Sequence, residues 1–323
     1  MGYGLFGPRP GFPPSGGGGG AGNCVDYAIN SAAELEAAFP AAAGVHTLNA
    51  DGSFCWGRFA LTGGNRIAIP ANQRQLHMGH GPDSLVSGLV DNALFTVDAN
   101  AQTTFRDFAM VNTSTNAASA CLNSASFDCK LSCMTMGATV LGVIHSGGVM
   151  LSQNLFIDGF NAATVGGTGI TLNGNLSESH WTNTRMQNCN SAGRTTGPYS
   201  SAVFVGGRVN NCGDGFRLEH GANSIGDLSV QAMEFQALDD AVQWVSGSVN
   251  RANVIGNTAA ADVTTLVDWQ AANIPTDCLL VCGNVTSINA GSFIQNHAFN
   301  SPRANYKCNS RAGGLFSETP IVP

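Results

Sequence analysis

The feature that most restricts this chain is a short strand-like pattern that recurs at a nearly constant spacing. FRDFAMVN (105–112), CKLSCMTMG (129–137), LSQNLFIDGF (151–160), WTNTRMQNC (181–189), VFVGGRVNNCGDGFRLEHG (203–221), LSVQAMEFQAL (228–238) and VNRANVIGN (249–257) each combine a short apolar run with turn-forming residues. With Phe108, Met134, Phe156, Met186, Val209, Phe235 and Val254 taken as equivalent points, successive gaps are 26, 22, 30, 23, 26 and 19 residues, a mean of about 24. A period of that length made of strands and turns selects a β-solenoid over helical repeats or propeller blades. Each turn would supply three short strands, stacked in parallel on the next turn at about 4.8 Å, so roughly ten turns would form a rod about 50 Å long.

Composition agrees with many tight turns. Only 11% of residues are charged and 41 are glycine, where about a quarter charged is usual. Gly and Asn tolerate the left-handed backbone that bends require, and Asn188–Cys189–Asn190 and Asn210–Asn211–Cys212–Gly213 read as such bends. Two lysines and twelve arginines against 21 acids leave a net charge of −7, so the excess of cations that drives nucleic-acid binding is missing. Residues 1–22 hold no basic region followed by an apolar run, and no stretch is long and apolar enough for a bilayer. The expectation is a chain that is neither exported by a signal peptide nor inserted in a membrane. In a chain made in the cytosol the ten cysteines read mostly as free thiols acting as small buried hydrophobes.

Four segments follow. Residues 1–22 form an extended, flexible arm, because four prolines break regular structure and Gly16–Gly20 maximise backbone freedom; Tyr3, Leu5, Phe6, Arg9 and Phe12 stand out as anchors for a partner protein. Residues 23–43 are a capping segment, in which SAAELEAAFPAAA (31–43) reads as a helix with Ser31 and Glu34 at capping-box spacing. Residues 44–300 are the repeat region, and 301–323 an irregular tail.

AELEAAFPAAAGVHTLNADGSF resembles the capping helix and first strand that open the pectate-lyase-like β-helix of phage tailspikes, and RVNNCGDGFRLEHG resembles the strand, Asn turn and strand of its coils. The resemblance covers about residues 30–300. It implies an all-β, right-handed parallel β-helix with an N-terminal capping helix and arm, commonly a homotrimer. It also implies a virion-surface structural protein: a capsid decoration or head-spike protein held to a capsid or tail protein through residues 1–22, with a host surface glycan as a candidate partner.

The alternative that the resemblance offers is a polysaccharide depolymerase or tail receptor-binding protein, which would need a pair of carboxylates on the flank. Asp158, Asp214, Glu219, Glu234, Asp239 and Asp240 are the candidates. Asp239 and Asp240 are adjacent and should point to opposite faces of a strand, so a pair would have to come from neighbouring turns, such as Asp214 with Asp239 or Asp240. Turn chemistry accounts equally well for acids at bends, and the expectation is a protein without enzymatic activity. No metal or cofactor is expected. Cys129 and Cys133, and Cys278 and Cys282, read as inward pairs at i and i+4 rather than zinc ligands, His77 and His80 match no known catalytic pattern, and GGTG (166–169) lacks the setting of a phosphate loop.

Overall fold

Alternation of apolar and polar residues within each short strand leaves one face to be buried, and stacking the strands turn upon turn buries it continuously. In the computed structural model the chain is all-β, a parallel β-solenoid of about nine turns. The structure describes residues 26–138, 140–159, 167–174, 176–260, 262–269, 278–286, 292–295, 304–305, 310–311 and 314–315. The arm with Tyr3, Leu5, Phe6, Arg9 and Phe12, and most of the tail, lie outside the described residues.

Three sheets form the walls. The first stacks Ala93–Val97, Ala120–Ser124, Leu141–His145, Thr168–Leu172 and Ser191–Thr195, then continues into the opening residues of Asp214–Gln231 and Leu238–Ile255 and into Val263–Trp269. The second stacks Gly52–Trp56, Arg74–Met78, Gln102–Arg106, Asp128–Ser132 and Val149–Gln153. The third runs through Ala109–Asn112, Thr135–Ala138 and Phe156–Asp158. In the second sheet Trp181 pairs with Phe204, Phe204 with Val230 and Val230 with Val254, steps of 23, 26 and 24 residues.

The period inferred from sequence is thus close, but its phase drifts. Met186, Val209 and Phe235 do share one ladder. Phe156 is one position out, since Ile157 aligns with Met186. Val254 belongs to the second sheet, between Val230 and Val281. Corners of unequal length shift the count, whereas backbone pairing is indifferent to it.

The core is a set of ladders. Phe54, His77 and Phe105 occupy one column, with ring centroids 5.1 and 4.7 Å apart. Trp56 Nε1 donates to His77 Nδ1 at 3.1 Å, which satisfies two polar atoms that would otherwise be costly to bury. Corners are closed by left-handed residues in a column of their own: Asp107, Cys133, Asn154, Asn183, Gly206, Ala232, Gly256 and Gly283 all have φ between 50° and 66°. Six of them follow the last residue of a second-sheet strand, while Asn183 and Gly206 lie inside the continuous strands Leu176–Gln187 and Tyr199–Asn210. The expected Asn bends are present, with Asn188 and Asn211 at φ 55° and 51° and Asn211 Nδ2 donating to Asn188 Oδ1 at 2.7 Å. Deeper in, Asn257 donates to Val230 O and Asn284 Oδ1 and accepts from Met233 N, all near 2.9–3.0 Å.

The helix spans Ala32–Ala38, shorter than the 31–43 read from sequence. Pro40 disfavours helical backbone at Phe39, and Phe39 takes φ −140°. Ser31 Oγ accepts from Glu34 N at 3.2 Å, while Glu34 reaches back to Asn30 N rather than to Ser31. Leu35 and Phe39 are buried, Phe39 against Tyr27 and Phe54. No helix among the described residues is long and apolar enough to cross a membrane.

Six described cysteines are free, in line with the reading of mostly free thiols, and Cys55 is the exception, being disulfide-bonded. Cys129 and Cys133 are not an inward pair: Cys129 is buried, but the bend at Cys133 turns its thiol out to solvent.

Candidate functional site

A bend in each strand of the first sheet makes the site. Two consecutive residues face inward there, as with Leu94 and Phe95 or Cys121 and Leu122, all fully buried. Residues flanking such a pair are three apart and lie on the same outward side, as the bonds between Asp214 and Arg217 and between Asp240 and Gln243 show. Stacking turns these positions into two parallel columns on the flank. One runs Thr168, Ser191, Asp214, Asp240, Thr265, and the other Thr171, Arg194, Arg217, Gln243, Asp268.

Where the columns become charged they form one network. Arg217 Nη1 donates to Asp214 Oδ2 at 3.3 Å and Arg217 Nε to Glu219 Oε1; Arg194 Nε donates to Glu219 Oε2 at 2.9 Å. On the next turn Gln243 Nε2 donates to Asp240 Oδ2 at 2.9 Å. Asp240 and Asp268 are nearly closed to solvent, at 9% and 4% exposure. Burial pushes the Asp240 carboxyl up to about 6, and repulsion from Asp268 and Asp214 adds to this against hydrogen bonds from Thr265 and Gln243. Asp214 is also raised, by burial above all, with Arg217 opposing and Asp239 and Asp268 reinforcing. Burial pushes Glu219 up as well, but Arg217 and Arg194 outweigh it and hold the carboxyl below its ordinary value. Acids of opposite tendency therefore sit within one cluster.

Two oxygens in the second column, Thr171 Oγ1 and Gln243 Oε1, are buried without a hydrogen-bond partner. Thr171 also lines a cleft of about 360 Å³ with Leu141, Ile144, Thr168, Asn173 and Arg194, so the cleft opens beside the charged network and shares Arg194 with it.

Of the acids named from sequence, the fold brings together Asp214, Glu219 and Asp240. Asp239 is exposed on the rim, close enough to raise Asp214. Asp158 lies at the preceding corner, where Gln187 and Asn188 donate to it at 2.9 Å, and Glu234 pairs with Arg208 on the third sheet. Arg194, Arg217, Gln243, Thr265 and Asp268 escaped sequence reasoning; the spacing of Arg194 and Arg217, one repeat apart, was their only signal. His77 is locked in the core stack, and His80 precedes a 3-10 turn, its backbone amide bonded to Ser84. Among the described residues no group of three or more His, Cys, Asp or Glu is placed to hold a metal ion.

The chain matches no family model, no curated protein and no solved structure.

Proposed function

We propose that the chain is a rod on the surface of a phage-like virion, a capsid decoration or head-spike protein that docks through residues 1–22 and binds a host surface glycan along its flank. In this reading it is made in the host cytoplasm, winds to the right, assembles as a homotrimer and uses the helix at 32–38 to cap its first turn. The solenoid and the sequence resemblance support the virion role. The observation that carries glycan binding is the pair of orphaned oxygens, Thr171 Oγ1 and Gln243 Oε1, in a column that also offers Arg194 and Arg217. A buried acceptor without a donor costs about 1–3 kcal/mol, and a chain of sugar hydroxyls carries donors along a line, as the columns carry acceptors.

Titration of the full chain with purified host capsule or lipopolysaccharide tests this. Binding should be saturable and should weaken about tenfold in Gln243→Leu; undiminished binding by that variant removes the site from the reading. Deleting residues 1–15 should leave a folded rod that no longer joins particles, and normal occupancy by the truncated chain would place attachment elsewhere.

A second reading, a polysaccharide depolymerase, is favoured by one observation. Asp214 and Asp240 stand in register on neighbouring turns, whose backbones lie about 4.8 Å apart, a spacing that allows the roughly 5 Å carboxyl separation of retaining glycosidases, and burial raises Asp240 to about 6, the direction a general acid requires. New reducing ends released by the natural chain and not by Asp240→Asn would select it.

A further inference from the structure

Independently of the glycan reading, we infer that Cys189 and Cys212 are an oxidation site: a pair of stacked thiols on adjacent turns that low-molecular-weight disulfides convert into a rung-to-rung disulfide. Gln187 pairs with Asn210 in the parallel ladder, and each is followed by a left-handed Asn, Asn188 or Asn211. The next residue on each turn is the cysteine. Gly213 N donates to Cys189 O at 3.1 Å, so the two turns remain in step past the corner. In-register neighbours lie about 4.8 Å apart, within the about 4.4–6.8 Å that Cα atoms of a disulfide span.

Each thiol donates to a carbonyl of its own turn, Cys189 Sγ to Gln187 O at 3.3 Å and Cys212 Sγ to Asn210 O at 3.4 Å, and the interaction between the two sulfurs lowers Cys212 below its ordinary value and lifts Cys189 above it. Both are free, Cys189 at 1% exposure and Cys212 at 6%. The more acidic and more accessible thiol is therefore the attacking one. Cys212 thiolate attacks one sulfur of oxidised glutathione, forming a mixed disulfide and releasing one glutathione thiolate. Cys189 then gives up its proton and attacks the Cys212 sulfur, releasing the second glutathione. The protein loses two electrons and two protons, and the glutathione disulfide is reduced to two thiols. The new bond would lie two residues before Ser191 and Asp214, at the entry to the first column of the flank site.

The test uses the folded full chain, with Cys189 and Cys212 free, incubated with oxidised glutathione, then alkylated with N-ethylmaleimide in denaturant and digested with trypsin. Cleavage at Arg185, Arg194, Arg208 and Arg217 places the two thiols in separate peptides, 186–194 and 209–217. The expected result is that these two peptides are recovered linked, while exposed Cys133 carries a lone glutathione. The Cys189→Ala chain should instead keep glutathione on Cys212. Recovery of both peptides alkylated while Cys133 is glutathionylated overturns the proposal, as does a link that forms only in denaturant. The measurement on the natural chain decides even if the variant fails to fold.

Discussion

Acidification should unfold this rod through histidines that the core holds neutral, and His77 is the clearest case. It is fully buried between Phe54 and Phe105 and accepts from Trp56 Nε1. Burial lowers its folded-state value from 6.5 to about 3, and burial likewise brings His145 and His220 to about 4. A depressed value means that stability is fully present above pH 6.5 and is lost as the pH falls from there toward 4 and 3, because only the unfolded chain takes up protons in that window. At pH 5 the unfolded histidine lies about 1.5 units below its midpoint, worth about 2 kcal/mol per residue at 1.36 kcal/mol per unit, or about 6 kcal/mol for the three. Asp240 acts in the opposite sense. Its raised value makes the folded state gain stability as the pH falls through 6 toward 3.8, by about 1.4 kcal/mol at pH 5. The net loss between pH 7 and 5 is therefore about 4–5 kcal/mol. His77→Phe keeps a ring in the stack but cannot titrate. It should be less stable at pH 7, where Trp56 Nε1 loses its acceptor, yet lose about 2 kcal/mol less than the natural chain between pH 7 and 5. Equilibrium urea unfolding followed by circular dichroism at pH 7, 6 and 5 measures both slopes. Equal slopes for the two proteins would refute the reasoning, since the histidine would then not be the proton acceptor.

Asp240→Asn removes a carboxyl that burial and two neighbouring acids oppose, so stability at pH 8 should rise by about 1–3 kcal/mol and the difference should vanish near pH 4, read from the same urea curves. Gly207 has φ 109°, and a Cβ there would lie 2.0 Å from Thr184 O; Gly207→Ala should abolish soluble expression or lower the thermal midpoint by more than 10 °C, and a shift under 2 °C would contradict that contact. Asn257→Ala strips partners from Met233 N and Val230 O inside the coil and should cost about 2–5 kcal/mol, whereas the exposed amide change Asn183→Ser should stay within about 1 kcal/mol of the natural chain.

Period and strand content were legible in the sequence because a buried wall has to repeat its apolar side chains wherever the coil returns. The phase was not legible. Phe156 is the most conspicuous apolar residue of its repeat, yet Ile157 aligns with Met186. Aligning turns needs the lengths of corners, and local sequence does not state them. The same gap concealed the site. Asp214 and Asp240 could be named one by one, but 26 residues separate them. Only the ladder puts them face to face, with Arg217 and Gln243 on the same outward side and Asp268 one turn on. The capping-box spacing of Ser31 and Glu34 showed where the helix begins. Where it ends depended on reading Pro40 as a stop, which the run of alanines on either side obscured.

The two-residue inward bend in the first sheet has a consequence for how such a surface changes over time. Because every rung repeats the same backbone, a substitution at either outward position alters the flank without moving its neighbours, while an inserted residue within a strand would turn its apolar side chains to the wrong face. A corner can absorb that insertion and leave the columns in step. The Asp, Arg and Gln patch occupies only four consecutive rungs, so it behaves like a line of type set in a fixed frame. The wording can be rewritten by exchanging side chains, or moved along the rod one turn at a time, without recasting the frame that holds it.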